Sequence, residues 1–363
     1  RKFRNRNRDL GETGKEIIGV MLLNLGGPDS LRAVRPFLYN LFSDRKIIRL
    51  GPPFLQKPIA WLISSLRSRK TEKLYRLIGG KSPIFDLTMA QARALEEALN
   101  RNSEIRSQKP EVSSQGAPPP IPPPRGGRVK EGVKFKTFVG MRYWHPFIEE
   151  VVPKISRDGV RKLIALNMYP HYSHATAGSS LSRLQEVLSE YPIEVFCISS
   201  WYDHPLYIEA LIDVIKKGLD SFNHSASVHL LFSAHNLPES LIKGGDPYVN
   251  QIKGTIREVT KSLNIEWYLS YQSKSGPVKW LKPSTGEMLK RFAELGYKNI
   301  LVVPISFVSD HIETLYEIDI LYKAMAKNLG MTLKRVDSLN IHPLFIEALK
   351  DMALKGLKEK GWA

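Results

Sequence analysis

Cysteine is all but missing from this chain: Cys197 is the only one in 363 residues. No internal disulfide, CxxC redox pair or cysteine-held zinc or iron–sulfur cluster can therefore form within it, and a reducing compartment fits. Uninterrupted apolar runs of ~18 residues are also lacking, which excludes a membrane-spanning helix. No apolar segment follows the basic opening Arg1 to Arg8, which argues against secretion. Three catalytic signatures are absent as well. Without G-x-S-x-G there is no serine-hydrolase elbow, without H-E-x-x-H no compact zinc site, and without G-x-G-x-x-G or G-x-x-x-x-G-K-[ST] no standard phosphate cradle. Acidic side chains are scarce, 36 against 53 Lys and Arg, for a net charge of +17.

What is present is ordinary in bulk, with 42% hydrophobic and 25% charged residues. At ~150 residues per domain the length predicts two domains or one large α/β unit. The positive excess is uneven. Arg45 to Lys81 holds ten basic residues against Glu72 alone, and smaller excesses lie in Arg1 to Glu16 and Arg101 to Lys136. Such a strip suits polyphosphate, an anionic membrane surface or an acidic small substrate, and a solvated helix face fits it equally. Between Pro110 and Pro124 stand seven prolines, a linker-like insertion (101–130) with polyproline character that is set apart from the fold.

On both sides of that insertion short β-rich runs alternate with amphipathic stretches, the cadence of parallel βα units. Strands are predicted at Ile17–Asn24, Lys134–Val139, Lys162–Asn167, Ile193–Ile198, Val228–Ser233, Ile265–Ser270 and Asn299–Pro304. The fold class is α/β, with a basic tail (1–16) and two similar halves dividing near residue 170, as 17–170 and 171–334. Parallel sheets bind ligands beyond their strands' carboxyl ends, so those places are read first.

The first strand is followed by Asn24-Leu25-Gly26-Gly27-Pro28-Asp29-Ser30, which reads as a tight turn opening a helix. The second runs into Gly140-Met141-Arg142-Tyr143-Trp144-His145-Pro146. A guanidinium beside a phenol and an indole suits a flat aromatic ligand bearing acid groups, and structural packing of the two rings fits equally. His235 follows Val228–Ser233 and, at a strand's end, can serve as base or metal ligand. In Asp310-His311-Ile312-Glu313-Thr314-Leu315-Tyr316-Glu317, a helix starting near Asp310 stacks Glu313 and Glu317 on one face behind His311. Stacked carboxylates need a cation or protons between them, and a hydrated, transient divalent ion suits them better than a fixed zinc.

Seven blocks in order, LNLGGP, IGGKSPI, GMRYWHP, YPHYSHATAGSS, FSAHNLPES with GDPY, QSKSGPVKWLKP and PISFVSDHIETLYEID, resemble the ferrochelatase family from about Ile18 to Pro343. The resemblance implies two Rossmann-like domains with a porphyrin cleft between them, a C-terminal segment (335–363) returning to the first, and insertion of Fe(II) into protoporphyrin IX to give protoheme. It places the catalytic, metal-handling pair on His235 and Glu313, with His311 and Glu317 continuing a proton or metal path. Substrate contacts fall on Arg67, Tyr75, Ser82, Arg142, Tyr143 and Leu25, and wall aromatics on Trp201 and Trp280.

Iron is then a substrate. No tightly bound cofactor and no [2Fe–2S] cluster are expected, the family's cysteine-bearing tail having no counterpart after Cys197. Leu321 replaces a third acid, shortening the acidic column, and Leu25 favours protoporphyrin over coproporphyrin. His171 and His174 read as polar loop residues. The apolar lip and adjacent cations at 52–70 suit peripheral contact with anionic lipid, where a porphyrin would be delivered, instead of nucleic acid. The expected setting is cytoplasmic, at the inner face of the membrane, as a monomer. The alternatives are a coproporphyrin ferrochelatase, or a porphyrin or heme carrier that keeps the cleft without turnover.

Overall fold

A computed structural model describes residues 16–104, 133–223, 227–263, 265–274 and 278–362. The basic tail and the proline-rich insertion lie outside the described residues, apart from Glu16 and 101–104.

The chain runs β1 (Glu16–Asn24), α1 (Val34–Ser43), α2 (Gln56–Leu77), α3 (Ile84–Glu104), β2 (Val133–Met141), α4 (Ile148–Arg157), β3 (Lys162–Asn167), α5 (Ala177–Leu188) and β4 (Glu194–Ile198). After α6 (Pro205–Asp220) it continues through β5 (Val228–His235), α7 (Glu239–Lys243), α8 (Tyr248–Thr260), β6 (Trp267–Gln272), α9 (Thr285–Glu294) and β7 (Asn299–Val303). A π-helix (Glu313–Tyr322), α10 (Lys323–Asn328), β8 (Thr332–Arg335) and α11 (Pro343–Glu359) complete it. The strands form two four-stranded parallel sheets of the same order, β2-β1-β3-β4 and β6-β5-β7-β8.

Central strands of such sheets are covered on both faces, so they read as continuous apolar runs instead of alternating ones. In β1, Ile18 and Val20 to Leu23 are all fully buried. One apolar cluster runs unbroken from Ile18 and Leu22 through Trp201, Phe345 and Leu349 to Leu230 and Phe232 of the second sheet. Each sheet's other face has its own cluster, against α4 and α5 in the first half and against α9 and α10 in the second. Burying one such aliphatic side chain stabilises by roughly 1.5–3 kcal/mol, so the shared inner layer fixes the two sheets against each other.

Two sequence expectations need correction. The division between the halves does not fall near residue 170, because β4 pairs with β3 in register, Lys162 opposite Glu194 through Leu166 opposite Ile198. The first sheet thus extends to Ile198, and α6 leads into the second. An eighth strand, β8, also lies beyond the seven expected; its four residues include Lys334 and Arg335, so it lacks the apolar run that marks the others. α11 returns along α3 and α6, with the indole Nε1 of Trp362 donating to Glu194 Oε2 at 3.2 Å.

Candidate active site

The carboxyl ends of both sheets face one cleft of about 720 Å³, including its open mouth. Its walls come from both halves: Asn24 and Leu25 at the end of β1, Met168 and Tyr169 after β3, His235 and Leu237 at the end of β5, and Ser306 to Val308 after β7. The exposed lining is mostly apolar, with His171, His311 and Glu313 as its ionisable groups besides His235, Tyr169 and Tyr248.

His235 is the last residue of β5, and its main chain is pinned twice. Its N–H donates to Ser306 Oγ at 3.1 Å, and its carbonyl accepts from the Tyr248 hydroxyl at 2.9 Å. The imidazole Nδ1 lies 2.8 Å from Glu313 Oε2. With about a third of its side chain still open (32%), the ring can present its other nitrogen, Nε2, away from the carboxylate. Burial by itself disfavours the imidazolium, but Glu313 outweighs it and raises the His235 pKa above its ordinary 6.5. Burial also pushes the Glu313 carboxyl up, and the attraction of His235 overrides that to hold it down at about 2. His311 behaves oppositely: burial dominates, its pKa falls, and its Nδ1 meets the Ser309 carbonyl at 3.1 Å.

Behind Glu313 the path continues. Instead of a regular helix from Asp310, the segment forms a π-helix from Glu313, in which residues four apart still lie on one face. Glu313 and Glu317 then share one hydroxyl. Ser273 Oγ lies 2.8 Å from Glu313 Oε2 and 2.6 Å from Glu317 Oε2. Ser273 follows β6 in a left-handed conformation (φ 68°), which aims its side chain between the acids. A hydroxyl donates one proton, so the second contact needs a proton on a carboxyl. Glu317 is the one suited to carry it, since burial and then the Glu313 charge push its pKa up to about 7. Gln272 Nε2 steadies the bridge, donating to the Glu313 carbonyl at 2.9 Å and to Glu317 Oε2 at 3.2 Å.

Residues 17–120 and 127–357 match the family model described as Ferrochelatase. This chain belongs to the ferrochelatase family. It is 46% identical over 353 residues to the ferrochelatase of Gloeothece citriformis, covering 95% of this chain and 84% of that one. With the ferrochelatase of Geotalea daltonii it shares 47% over 350 residues, covering 95% and 99%. Among solved structures, SirB from Bacillus subtilis with Fe3+ superposes with a TM-score of 0.52 at 9% identity, over 94% of this chain and 97% of that one, a likeness of fold alone. As a ferrochelatase the chain is a metal chelatase that inserts iron into a porphyrin in heme synthesis. Among the described residues no group of three or more His, Cys, Asp or Glu side chains is arranged to hold a metal.

The structure brings only some of the family's expected contact residues to the cleft. Leu25, His235, His311 and Glu313 line it, and Glu317 is reached through Ser273. Arg142 lies beside it with its guanidinium edge occupied: Nη2 is 2.8 Å from Asp44 Oδ2 and Nε donates to Ser179 Oγ at 2.9 Å. The carboxylate it pairs with is the protein's own. Tyr143 donates to the same Asp44 oxygen at 2.7 Å, and Tyr75 is buried among Val34, Phe37 and Tyr143. Ser82 is packed under the first turn, where Gly27 leaves it room: a Cβ on that glycine would stand 2.5 Å from Ser82 Oγ. Arg67 lies on the exposed face of α2 over the Phe42 ring. Trp280 is half-buried in a bridge with Pro238. Trp201 is not on the wall at all; it sits in the core against Tyr207 and Phe345, its Nε1 donating to the Asn167 carbonyl at 2.7 Å.

His171 is likewise no loop-surface residue. It is 1% exposed, lines the cleft, and burial takes its pKa down to about 3. Tyr169, Ser273 and Tyr248 carry no distinctive spacing, yet Tyr169 and Ser273 stand just after strands, where the carboxyl-end rule directs attention. Asp44, which organises Arg142, follows a helix and gives no such signal.

Proposed function

We propose that this ferrochelatase inserts Fe(II) into protoporphyrin IX, with His235 accepting the pyrrole protons and Glu313 fixing its ring and charge. The observation that carries the reading is the 2.8 Å contact between His235 and Glu313 inside a cleft walled by both sheets. A divalent ion replaces two N–H protons of the free base, so the site must take protons repeatedly. An imidazolium cannot accept one. The pair must first discharge, and Ser273 with Glu317, poised at about 7, provides a hydrogen-bonded way out toward water. The apolar walls hold the macrocycle in the deformed shape that exposes its nitrogen lone pairs, while His235 and Glu313 also meet the incoming ion. Leu25 on the wall offers no polar group to an additional propionate, which supports protoporphyrin over coproporphyrin.

Delivery fits contact with anionic lipid at the inner face of the membrane. On α2 and the turn before it, Phe54 (75% exposed), Trp61 (56%) and Leu66 (73%) stand out with Lys57, Arg67, Arg69 and Lys70. Among the described residues no helix is long and apolar enough to cross a membrane. The monomer and the cytoplasmic setting belong to the same reading.

The test is anaerobic Fe(II) with each porphyrin. Protoporphyrin should yield the protoheme spectrum with the higher kcat/KM, and His235→Ala should lower turnover by about 10³-fold or more while porphyrin fluorescence quenching persists. A variant as fast as the parent would remove His235 from the mechanism, and a preference for coproporphyrin would overturn the substrate.

A further inference from the structure

Asp44 closes α1 and is 8% exposed at its side chain, yet three donors from two distant segments converge on its Oδ2. They are Arg142 Nη2 at 2.8 Å, the Tyr143 hydroxyl at 2.7 Å and Ser179 Oγ at 2.5 Å. Its other oxygen accepts from the Lys46 N–H at 2.8 Å. So dense a set of donors is far more than a turn requires, and it holds the carboxylate ionised although burial works against that. The guanidinium stacks over the Tyr143 ring, 4.8 Å from its centroid, and is itself only 20% exposed. The Arg142 main chain abuts the cleft, its N–H donating at 2.9 Å to the carbonyl of Asn24, a lining residue.

We propose that Asp44 is a positioning residue for iron insertion: it orients Arg142 at the edge of the porphyrin cleft and cancels its charge, so that the approaching divalent cation is not repelled. The inference rests on the iron-insertion activity and adds a residue that never touches the metal or the macrocycle. A poorly solvated guanidinium left without its partner would face a doubly charged ion across a cleft of low polarity, where electrostatic effects are largest. The cost falls on capture of iron, since the porphyrin meets the wall mainly through apolar contact.

The test measures Fe(II) kinetics and porphyrin affinity separately on the full chain. In Asp44→Asn the KM for Fe(II) should rise about tenfold while porphyrin Kd by fluorescence quenching stays within about twofold, and ~0.5 M salt should shrink the defect by screening. Adding Arg142→Gln to Asp44→Asn should bring the KM back to within about threefold of the parent, because the unpaired charge is then gone. Should Asp44→Asn fail to fold, Ser179→Ala, which takes an acceptor from Arg142 Nε and a donor from Asp44 and so loosens the pair, should raise the KM about threefold. An unchanged KM in Asp44→Asn, a double variant as impaired as the single one, or a Ser179→Ala KM equal to the parent's would each overturn the proposal. A parent chain that made no heme would instead sink the activity itself.

Discussion

The two halves share a strand order, yet they treat charge in opposite ways. In the first half the charged groups beside the cleft are closed on one another: Arg142 on Asp44, with Tyr143 and Ser179 filling what remains. In the second, His235, Glu313 and Glu317 form an open series in which a hydroxyl shared between two acids is satisfied only while one acid carries a proton. The same scaffold therefore supplies a static wall from one sheet and a titrating one from the other. Chemistry sits where hydrogen-bond demand is left unbalanced, and alignment where it is met.

Variants can strain that contrast from either side. The largest effect is expected for Glu313→Gln in the second half. Turnover should fall by roughly 10²–10³-fold. The carboxylate is what raises the His235 pKa above 6.5 against burial, so its removal lets the imidazole lose its proton at lower pH. The acid limb of kcat/KM should move down the pH scale; an unmoved limb would mean that His235 is not the group seen. Next comes Ser273→Gly, which tolerates the positive φ and deletes only the hydroxyl. A loss of about 10- to 30-fold in kcat with a larger solvent isotope effect is expected, as the relay breaks while porphyrin Kd holds. Unaltered kcat and isotope effect would show that protons leave by another route. Smallest, and confined to the first half, are Phe54→Ser and Trp61→Ser on the lip. Each should weaken sedimentation with anionic vesicles by roughly three- to tenfold. Equal binding to neutral and anionic vesicles in the parent would break the lipid reading.

Much of this was legible in the chain because parallel βα units announce themselves. β3 was expected residue for residue, and β1, β2, β5 and β7 to within a residue or two. His235 and Glu313 stood out since a histidine at a strand's end and acids spaced by four are local patterns. Contacts made across the fold were not. Ser273 matters through a backbone twist that no composition signals, and Asp44 through donors 98 to 135 positions away. Trp201 and Ser82 show the converse. Their resemblance to wall and contact positions was clear, but the indole and the hydroxyl are held inside by Asn167 and by the Gly27 turn. β8 escaped because a short edge strand with two cations lacks the apolar run that marks its neighbours.

The last helix gives the architecture a directional consequence. α11 leaves the second half and lies down on the first, with Gly356 so close to Phe196 that a Cβ there would stand 2.7 Å from the ring, and with Asp351 2.9 Å from His204. The polypeptide thus closes a loop on itself, like a strap buckled across two jaws. A wide-open gape that slid the sheets apart would have to peel this strap off Phe196 and His204. Ring entry and heme departure should therefore be accommodated at the mouth, by α1 and α2 flexing, while the hinge side stays shut.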